Sequence, residues 1–222
     1  MLDKILSFLA PHYCCGCGKI GSLLCHNCIN DIIDDDEVVC ISCCRPTVGD
    51  NLCKICHTSY ERAWLVGKRS GVLQRLIGLY KFQRSRAGYK DLGDLLLARL
   101  PDLPPETIIV PIPTVSSHVR ERGYDHMLLI AKYVAKKRHL ELARVLRRQT
   151  NTKQRQSGAR QRDKQARAAF TIDSALDKNK NYLLIDDVVT TGATLKYASK
   201  VLIDAGAKHV WVAAIARQTI DN

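Results

Sequence analysis

The sequence predicts an α/β protein: a parallel sheet flanked by helices, preceded by a small cysteine-rich module. Three observations carry this. All 10 cysteines fall between Cys14 and Cys56, and none follows. Beyond Tyr60, short apolar runs alternate with amphipathic segments, the pattern of strands covered on both faces. Charge divides at the same place. Residues 1–60 hold four basic and seven acidic side chains, a net of −3, whereas residues 61–222 hold 30 basic and 15 acidic, a net of +15. The expected division is therefore 1–60 and 61–222.

Met1 to Ala10 reads as a short helix, with Asp3 and Lys4 beside too few apolar residues for an export signal. Val72 to Phe82 carries Leu73, Leu76, Ile77 and Tyr80 at helical spacing, and Leu92 to Leu100 repeats that character until Pro101, Pro104 and Pro105 stop it. Thr107 to Val110 reads as a buried strand ending at Pro111 and Pro113. Tyr124 to Lys137 reads as a helix with Leu128, Ala131, Val134 and Ala135 on one side, and Leu142 to Leu146 as a strand. Strand Tyr182–Ile185, helix Thr194–Ala205 and strand Val210–Ile215 complete the pattern. With 46% hydrophobic and 25% charged residues, 13 Gly and 7 Pro, collagenous and low-complexity classes are excluded. No apolar run approaches the ~18 residues of a membrane span. A cytoplasmic protein without membrane insertion is the expectation.

The cysteines form four pairs: Cys14-x-x-Cys17, Cys25-x-x-Cys28, Cys40-x-x-Cys43 and Cys53-x-x-Cys56. Two intervening residues let a tight turn aim both sulfurs at one ion, and two such turns complete a tetrahedral zinc site. A disulfide framework does not suit a chain without an export signal. Two structural zinc ions are expected, ahead of redox thiols or another metal. Pairing neighbours groups Cys14, Cys17, Cys25 and Cys28, then Cys40, Cys43, Cys53 and Cys56. Spacing alone also permits crossed pairing, replacement of Cys14 by Cys15, or service by His26 or His57. Cys44 is left over. About 45 residues with few large hydrophobes build no core alone, so the metal supplies folding free energy.

The most informative stretch is Tyr182-Leu-Leu-Ile-Asp186-Asp187-Val-Val-Thr190-Thr191-Gly192-Ala193-Thr194. A strand delivers two carboxylates, then a Thr/Gly turn opens a helix. Unpaired N–H groups and the positive dipole end suit a phosphate there. Gly192 permits close approach, and the threonine hydroxyls add donors. The two acids repel phosphate but fit a sugar diol or hydrated Mg²⁺. Neither a P-loop nor a G-x-G-x-x-G is present, which disfavours NTPase and dinucleotide readings.

Residues 183–195 resemble the ribose-phosphate motif of type I phosphoribosyltransferases. The whole chain resembles the ComF/GntX family, which carries an N-terminal zinc ribbon. Tyr80-Lys81-Phe82 fits the family's early helix, and Val110-Pro111-Ile112-Pro113 its "VPVP" strand end. Arg120-Glu-Arg122-Gly123-Tyr124 is similar to the start of its "RxRGFNQ". Asp125 and His126 stand where the family has Asn-Gln, and no role is carried onto them. Gln154, Arg162 and Phe170 match the later "Q…R…GAF" segment, with Ser157, Gln165 and Ala168 in place of Leu, Asn and Gly. The resemblance implies a type I phosphoribosyltransferase-like parallel sheet with a small N-terminal four-cysteine zinc-ribbon module. It implies that Asp186 and Asp187 hold the ribose hydroxyls of phosphoribosyl pyrophosphate (PRPP). Thr190, Thr191, Gly192, Ala193 and Thr194 then hold its 5′-phosphate. Pro111, Ile112, Pro113 and Thr114 form the pyrophosphate turn, with Arg120 and Arg122 to neutralise the charge.

Residues 144–167 hold nine Lys or Arg, one acid and five Gln, the composition of a loop rather than a buried element. Arg155, Arg160 and Arg162 there suit departing pyrophosphate or a nucleic-acid backbone. Residues 68–90 add seven basic side chains and no acid. Tyr80, Phe82 and Tyr89 interleave with them as a stacking surface for single-stranded bases, unless they are core aromatics. Two functional readings follow. The resemblance points to an accessory protein that assists uptake of single-stranded DNA in natural transformation, with a helicase partner. The alternative is an active phosphoribosyltransferase that displaces pyrophosphate from PRPP–Mg²⁺ onto a small acceptor. Only Arg217 to Asn222 follow the last expected strand, which leaves no C-terminal hood to recognise a base.

Overall fold

A computed structural model describes residues 12–34, 38–82, 86–149, 169–172 and 175–218. The expected Met1–Ala10 helix and Arg155, Arg160 and Arg162 lie outside the described residues. In chain order the elements are α1 (His26–Ile33), β1 (Arg62–Lys68), α2 (Gly71–Phe82), α3 (Gly88–Arg99), β2 (Thr107–Pro111), α4 (Ser116–Arg122), α5 (His126–Arg138), β3 (Glu141–Leu142), β4 (Leu146–Arg148), β5 (Phe170–Ile172), β6 (Asn181–Val189), α6 (Ala193–Asp204) and β7 (His209–Arg217). Five strands form one sheet in the order β1-β7-β6-β2-β3, all pairs parallel. β4 and β5 make a separate antiparallel ribbon.

β6 lies inside the sheet and is buried at eight of its nine positions. It runs past the expected Ile185 because β7 keeps pairing with it, Asp186 opposite Ala214 and Val189 opposite Arg217. The two carboxylates are therefore strand residues, not loop residues. The expected Leu142–Leu146 strand divides. β3 pairs with Ile108 and Ile109 of β2, and β4 leaves the sheet to pair with β5. Four elements carry no sequence expectation. Three, α1, α4 and β5, are short. The fourth, β1, announces itself only in the apolar run Ala63-Trp64-Leu65-Val66.

Strand alternation sends side chains to two cores. Trp64, Val66, Leu183, Ile185, Trp211 and Ala213 pack with Leu76 of α2, Leu96 of α3 and Ile130 of α5. Leu65, Leu184, Val212 and Ala214 pack with Leu195, Ala198 and Leu202 of α6. The cysteine loops divide between these faces. Cys14, Leu23, Leu24 and Cys28 belong to the first core, Val39 and Ile41 to the second. Asn51 ties the second loop to β1: its side chain donates to Val39 O and accepts from Leu65 N–H, each at 2.9 Å.

Helices α3 and α5 meet at Gly93. A Cβ there would lie 2.4 Å from Tyr133 Cδ1, while the Tyr133 hydroxyl donates to Asp94 at 2.7 Å and anchors the ring. We expect Gly93→Ala to destabilise the fold by about 1–3 kcal/mol despite the helix propensity of alanine. Urea unfolding checks this, and an unchanged or raised midpoint would contradict it.

Candidate functional site

The carboxyl ends of β2 and β6 open into a cleft of ≈ 1110 Å³, the place where open α/β sheets bind ligands. Lys81, Phe82, Thr114, Arg122, Arg148, Asp186 and Asp187 line it, together with Ile112, Pro113 and Thr194. Asp186 and Asp187 are both buried, but as neighbours on a strand they address opposite faces. Asp187 faces α2 and α5. Its Oδ2 receives Lys81 Nζ at 2.6 Å and His126 Nε2 at 2.5 Å. Burial works against its charge, yet the His126 hydrogen bond and the Lys81 ammonium hold its carboxyl below the usual range. Asp186 accepts the Asp187 N–H at 2.9 Å. Burial and then the Asp187 charge push its carboxyl well above the usual range. No cation reaches Asp186 at hydrogen-bonding distance among the described residues.

His126 has a definite tautomer. Arg122 Nη1 lies 3.0 Å from its Nδ1, and a guanidinium only donates, so Nδ1 accepts. Nε2 then carries the proton and donates to Asp187. Asp125 caps α5 by accepting Leu128 N–H, and it also accepts Thr114 Oγ1 at 2.9 Å. The cap fixes the turn after β2 to the helix that presents His126.

Beyond Val189 the chain turns at Thr190–Gly192 into α6. Gly192 sits at φ 74°, in the left-handed region. A Cβ there would also meet Ser42 Oγ at 3.1 Å and Ser42 Cα at 3.3 Å. Thr190 and Thr191 are exposed, and Ala193 N–H leans 3.4 Å toward Thr191 Oγ1. The turn thus presents hydroxyls and helix-start N–H groups outward.

Two four-cysteine clusters stand apart from the cleft. Cys14, Cys17, Cys25 and Cys28 form one, Cys40, Cys43, Cys53 and Cys56 the other, with all sulfurs of a cluster within 4.8 Å of one another. Neighbouring pairs therefore share a site, and crossed pairing is excluded. Cys17 and Cys25 sulfurs lie 3.5 Å apart, Cys43 and Cys53 3.6 Å. Four thiolates about 2.3 Å from one zinc lie about 3.8 Å apart, so the geometry fits that ion. Backbone N–H groups of Cys25 and Cys56 donate to Cys14 and Cys53 sulfurs at 3.3 Å. Cys15 stands outside the cluster. Its thiol points away to Val72 O. His26, His57 and Cys44 also lie outside both clusters.

A phosphoribosyl transferase domain model matches residues 127–221. Competence protein F of Haemophilus influenzae is 29% identical over 172 residues, covering 72% of this chain and 74% of that protein. Competence protein ComFC of Bacillus subtilis is 24% identical over 201 residues, covering 85% and 81%. The transferase domain, the two competence relatives and the paired cysteine clusters together support a ComF family protein. Among solved structures, the allosteric regulatory enzyme of purine biosynthesis matches with TM-score 0.42 and 19% identity over 57% of this chain and 25% of that one. Adenine phosphoribosyl transferase from Trypanosoma brucei matches at 0.38 and 17% over 63% and 56%.

In this ComF-family chain the structure brings Asp186, Asp187, Ile112, Pro113, Thr114, Arg122 and Thr194 to one cleft. Thr190, Gly192 and Ala193 line an adjoining recess of ≈ 200 Å³ with Asp186. Pro111 is buried at the end of β2, and Arg120 is exposed on α4 outside the cleft lining. The basic aromatics divide. Tyr80 is buried with its hydroxyl on His126 O, and Tyr89 packs on Tyr133. Phe82 alone of the three is open, 68% exposed with the Arg122 guanidinium over its ring. Sequence reasoning missed Lys81, His126, Ser42 and Arg217 as site residues. Tyr80-Lys81-Phe82 and the unusual Asp125-His126 pair were the available signals.

The Lys81–Asp187 pair is testable. We expect a double-mutant cycle of Lys81→Met and Asp187→Asn, read by urea unfolding, to return a coupling of about 1–3 kcal/mol. A coupling near zero would mean that Lys81 does not hold Asp187.

Proposed function

We propose that this ComF-family chain binds PRPP or a related ribose 5-phosphate at the β6–α6 turn and assists single-stranded DNA uptake in natural transformation. The observation that carries the reading is the order of groups along one strand end. Asp186, an acceptor that no cation of the described residues reaches, is followed by a left-handed glycine and a helix start. Asp186 suits ribose hydroxyls or the Mg²⁺ that accompanies PRPP, Thr190 to Thr194 suit the 5′-phosphate, and Pro111 to Thr114 with Arg122 suit pyrophosphate. Asp187 acts mainly as the anchor for Lys81 and His126. Arg120 reaches pyrophosphate only if α4 moves.

The DNA role is supported by the competence relatives and by the net of +15 beyond residue 60. Arg155, Arg160 and Arg162 are proposed to meet either strand phosphates or pyrophosphate, and a competence helicase is the proposed partner. No described helix is long and apolar enough to cross a membrane, and a cytoplasmic location is proposed. Residues 1–60 are proposed as a double zinc-ribbon module that takes two structural zinc ions, with residues 61–222 as the transferase-like unit. One observation favours the alternative of an active transferase. Phe82 stands open on the rim of the cleft beside Asp186 and Arg122, where an aromatic acceptor can stack.

We expect two zinc ions per chain by elemental analysis under reducing conditions, and a lowered melting temperature after chelation. Protein without zinc that melts unchanged would reject the metal assignment.

We further expect PRPP binding by calorimetry that falls about tenfold or more in Asp186→Asn, and DNA binding that weakens with salt. Each neutralised phosphate contributes about 0.7 log units per log unit of salt on single strands. Arg155→Ala, Arg160→Ala and Arg162→Ala together should flatten that slope if the loop touches the strand. DNA binding absent at low salt, with pyrophosphate release on addition of a base, would favour the transferase.

A further inference from the structure

The second cysteine centre and the phosphate turn are in contact. The segment Cys40-Ile41-Ser42-Cys43 is the first knuckle of that centre. Ile41 is fully buried in the core that holds Val189 and Leu195, the residues flanking the turn. Ser42, next along, lies against Gly192 so closely that a single methyl on the glycine would meet it. Two groups fix Ser42 there. Tyr60 OH and Ser42 Oγ share a 2.6 Å hydrogen bond, and burial pushes the Tyr60 phenol up to about 12, which keeps it neutral. Arg217 Nη2 donates to Ser42 O at 2.9 Å while its Nη1 donates to Val189 O at 3.2 Å.

Arg217 is buried to 4% exposure. One guanidinium therefore clamps the knuckle carbonyl to the carbonyl that immediately precedes Thr190. A rigid two-donor fork suits such a clamp better than an ammonium. The chain after Arg217 reinforces it, since Gln218 N–H also donates to Val189 O at 2.9 Å. Among the described residues the first centre has no comparable link to the turn. Its Cys14 and Cys28 pack in the opposite core, and its contacts to α2 include Cys15 Sγ to Val72 O and Arg75 Nε to Cys15 O at 2.7 Å.

From this asymmetry the geometry assigns Ser42, Tyr60 and Arg217 as positioning residues of the phosphate turn, so that the second cysteine centre, and not the first, sets affinity for a 5′-phosphate. The assignment rests on the reading of the β6–α6 turn as a phosphate site. Physically, a helix-start anion site works only if its N–H groups are held in place before the ligand arrives. The turn's own bonds are few. Lys196 N–H to Gly192 O, 3.0 Å, closes the first turn of α6, and Thr190 and Thr191 are open to solvent. The knuckle supplies the missing wall.

The test uses the full zinc-loaded chain and four variants: Ser42→Ala, Tyr60→Phe, Arg217→Lys, and Ser22→Ala in the first centre as control. Ser22 Oγ donates to Leu24 O at 2.9 Å, so the control also loses one hydroxyl bond beside a cysteine centre. Two probes are titrated by calorimetry, ribose 5-phosphate and magnesium pyrophosphate. We expect ribose 5-phosphate to weaken about three- to tenfold in Ser42→Ala and Tyr60→Phe, and more in Arg217→Lys. Pyrophosphate affinity and the Ser22→Ala variant should stay within about twofold of the parent. Equal loss of both probes, or equal loss in Ser22→Ala, would mean general loosening and would overturn the assignment. Unchanged ribose 5-phosphate affinity would overturn it as well.

Hydrogen exchange at Lys196 N–H separates this inference from the reading beneath it. If the parent binds no ribose 5-phosphate, the phosphate reading falls. Faster Lys196 exchange in Ser42→Ala and Tyr60→Phe, and not in Ser22→Ala, would still support the positioning role. Unchanged exchange would reject it.

Discussion

Two adjacent carboxylates at the end of a strand buried on both faces cannot both keep a charge without partners. That constraint organises the chain around the cleft. Strand alternation sends Asp187 to the face of α2 and α5, and those helices answer it with Lys81 and His126. The pairing discharges the cost of burying Asp187. It also leaves Asp186 as the carboxylate that no cation of the described residues reaches, its pKa raised by burial and by its neighbour. An acceptor in that condition gains most from a ligand that brings hydroxyl donors or a divalent ion.

The partners of Asp187 are themselves held in place. His126 meets Asp187 with Nε2–H only because Arg122 and Thr114 occupy the Nδ1 side. Thr114 in turn is held by Asp125, the cap of the helix that carries His126. Asp125 and His126, which break the family's usual Asn-Gln, thus act together. One fixes the turn after β2 and the other fixes Asp187.

The chemistry-bearing string and the cysteine spacing were legible because each is local. Asp186 to Thr194 is one strand end and one helix start, and each zinc-type cluster is two tight turns close in sequence. What the sequence hid is long-range. Lys81 lies on a helix some hundred residues before its partner, and Arg217 reads as the end of an apolar strand until its guanidinium is seen between Ser42 O and Val189 O. Tyr80 and Tyr89 interleave with charges in sequence, yet tertiary packing buries or half-buries both and leaves only Phe82 open. β1 is hard to read because a four-residue apolar run says nothing of its partner; its place at the sheet edge comes from β7. The Leu142–Leu146 run divides because its two ends pair with different strands.

The placement of the cysteine loops has a physical logic of its own. A module of this size has too little apolar surface for an independent core. Here each loop lends its few hydrophobes to an existing one, Leu23 and Leu24 to one face of the sheet and Val39 and Ile41 to the other. Metal at such a centre stabilises more than the loop that binds it, because the loop is also a wall of the larger core. The two centres are not equivalent in what they wall. The first packs into the core of α2 and α3, and α2 carries Lys81. The second abuts Gly192 and the start of α6. A glycine at that position answers two constraints at once, the left-handed backbone that begins the helix and the absence of a Cβ where Ser42 stands. That double demand makes the turn and the knuckle a single structural unit although Ser42 and Gly192 lie far apart in the chain.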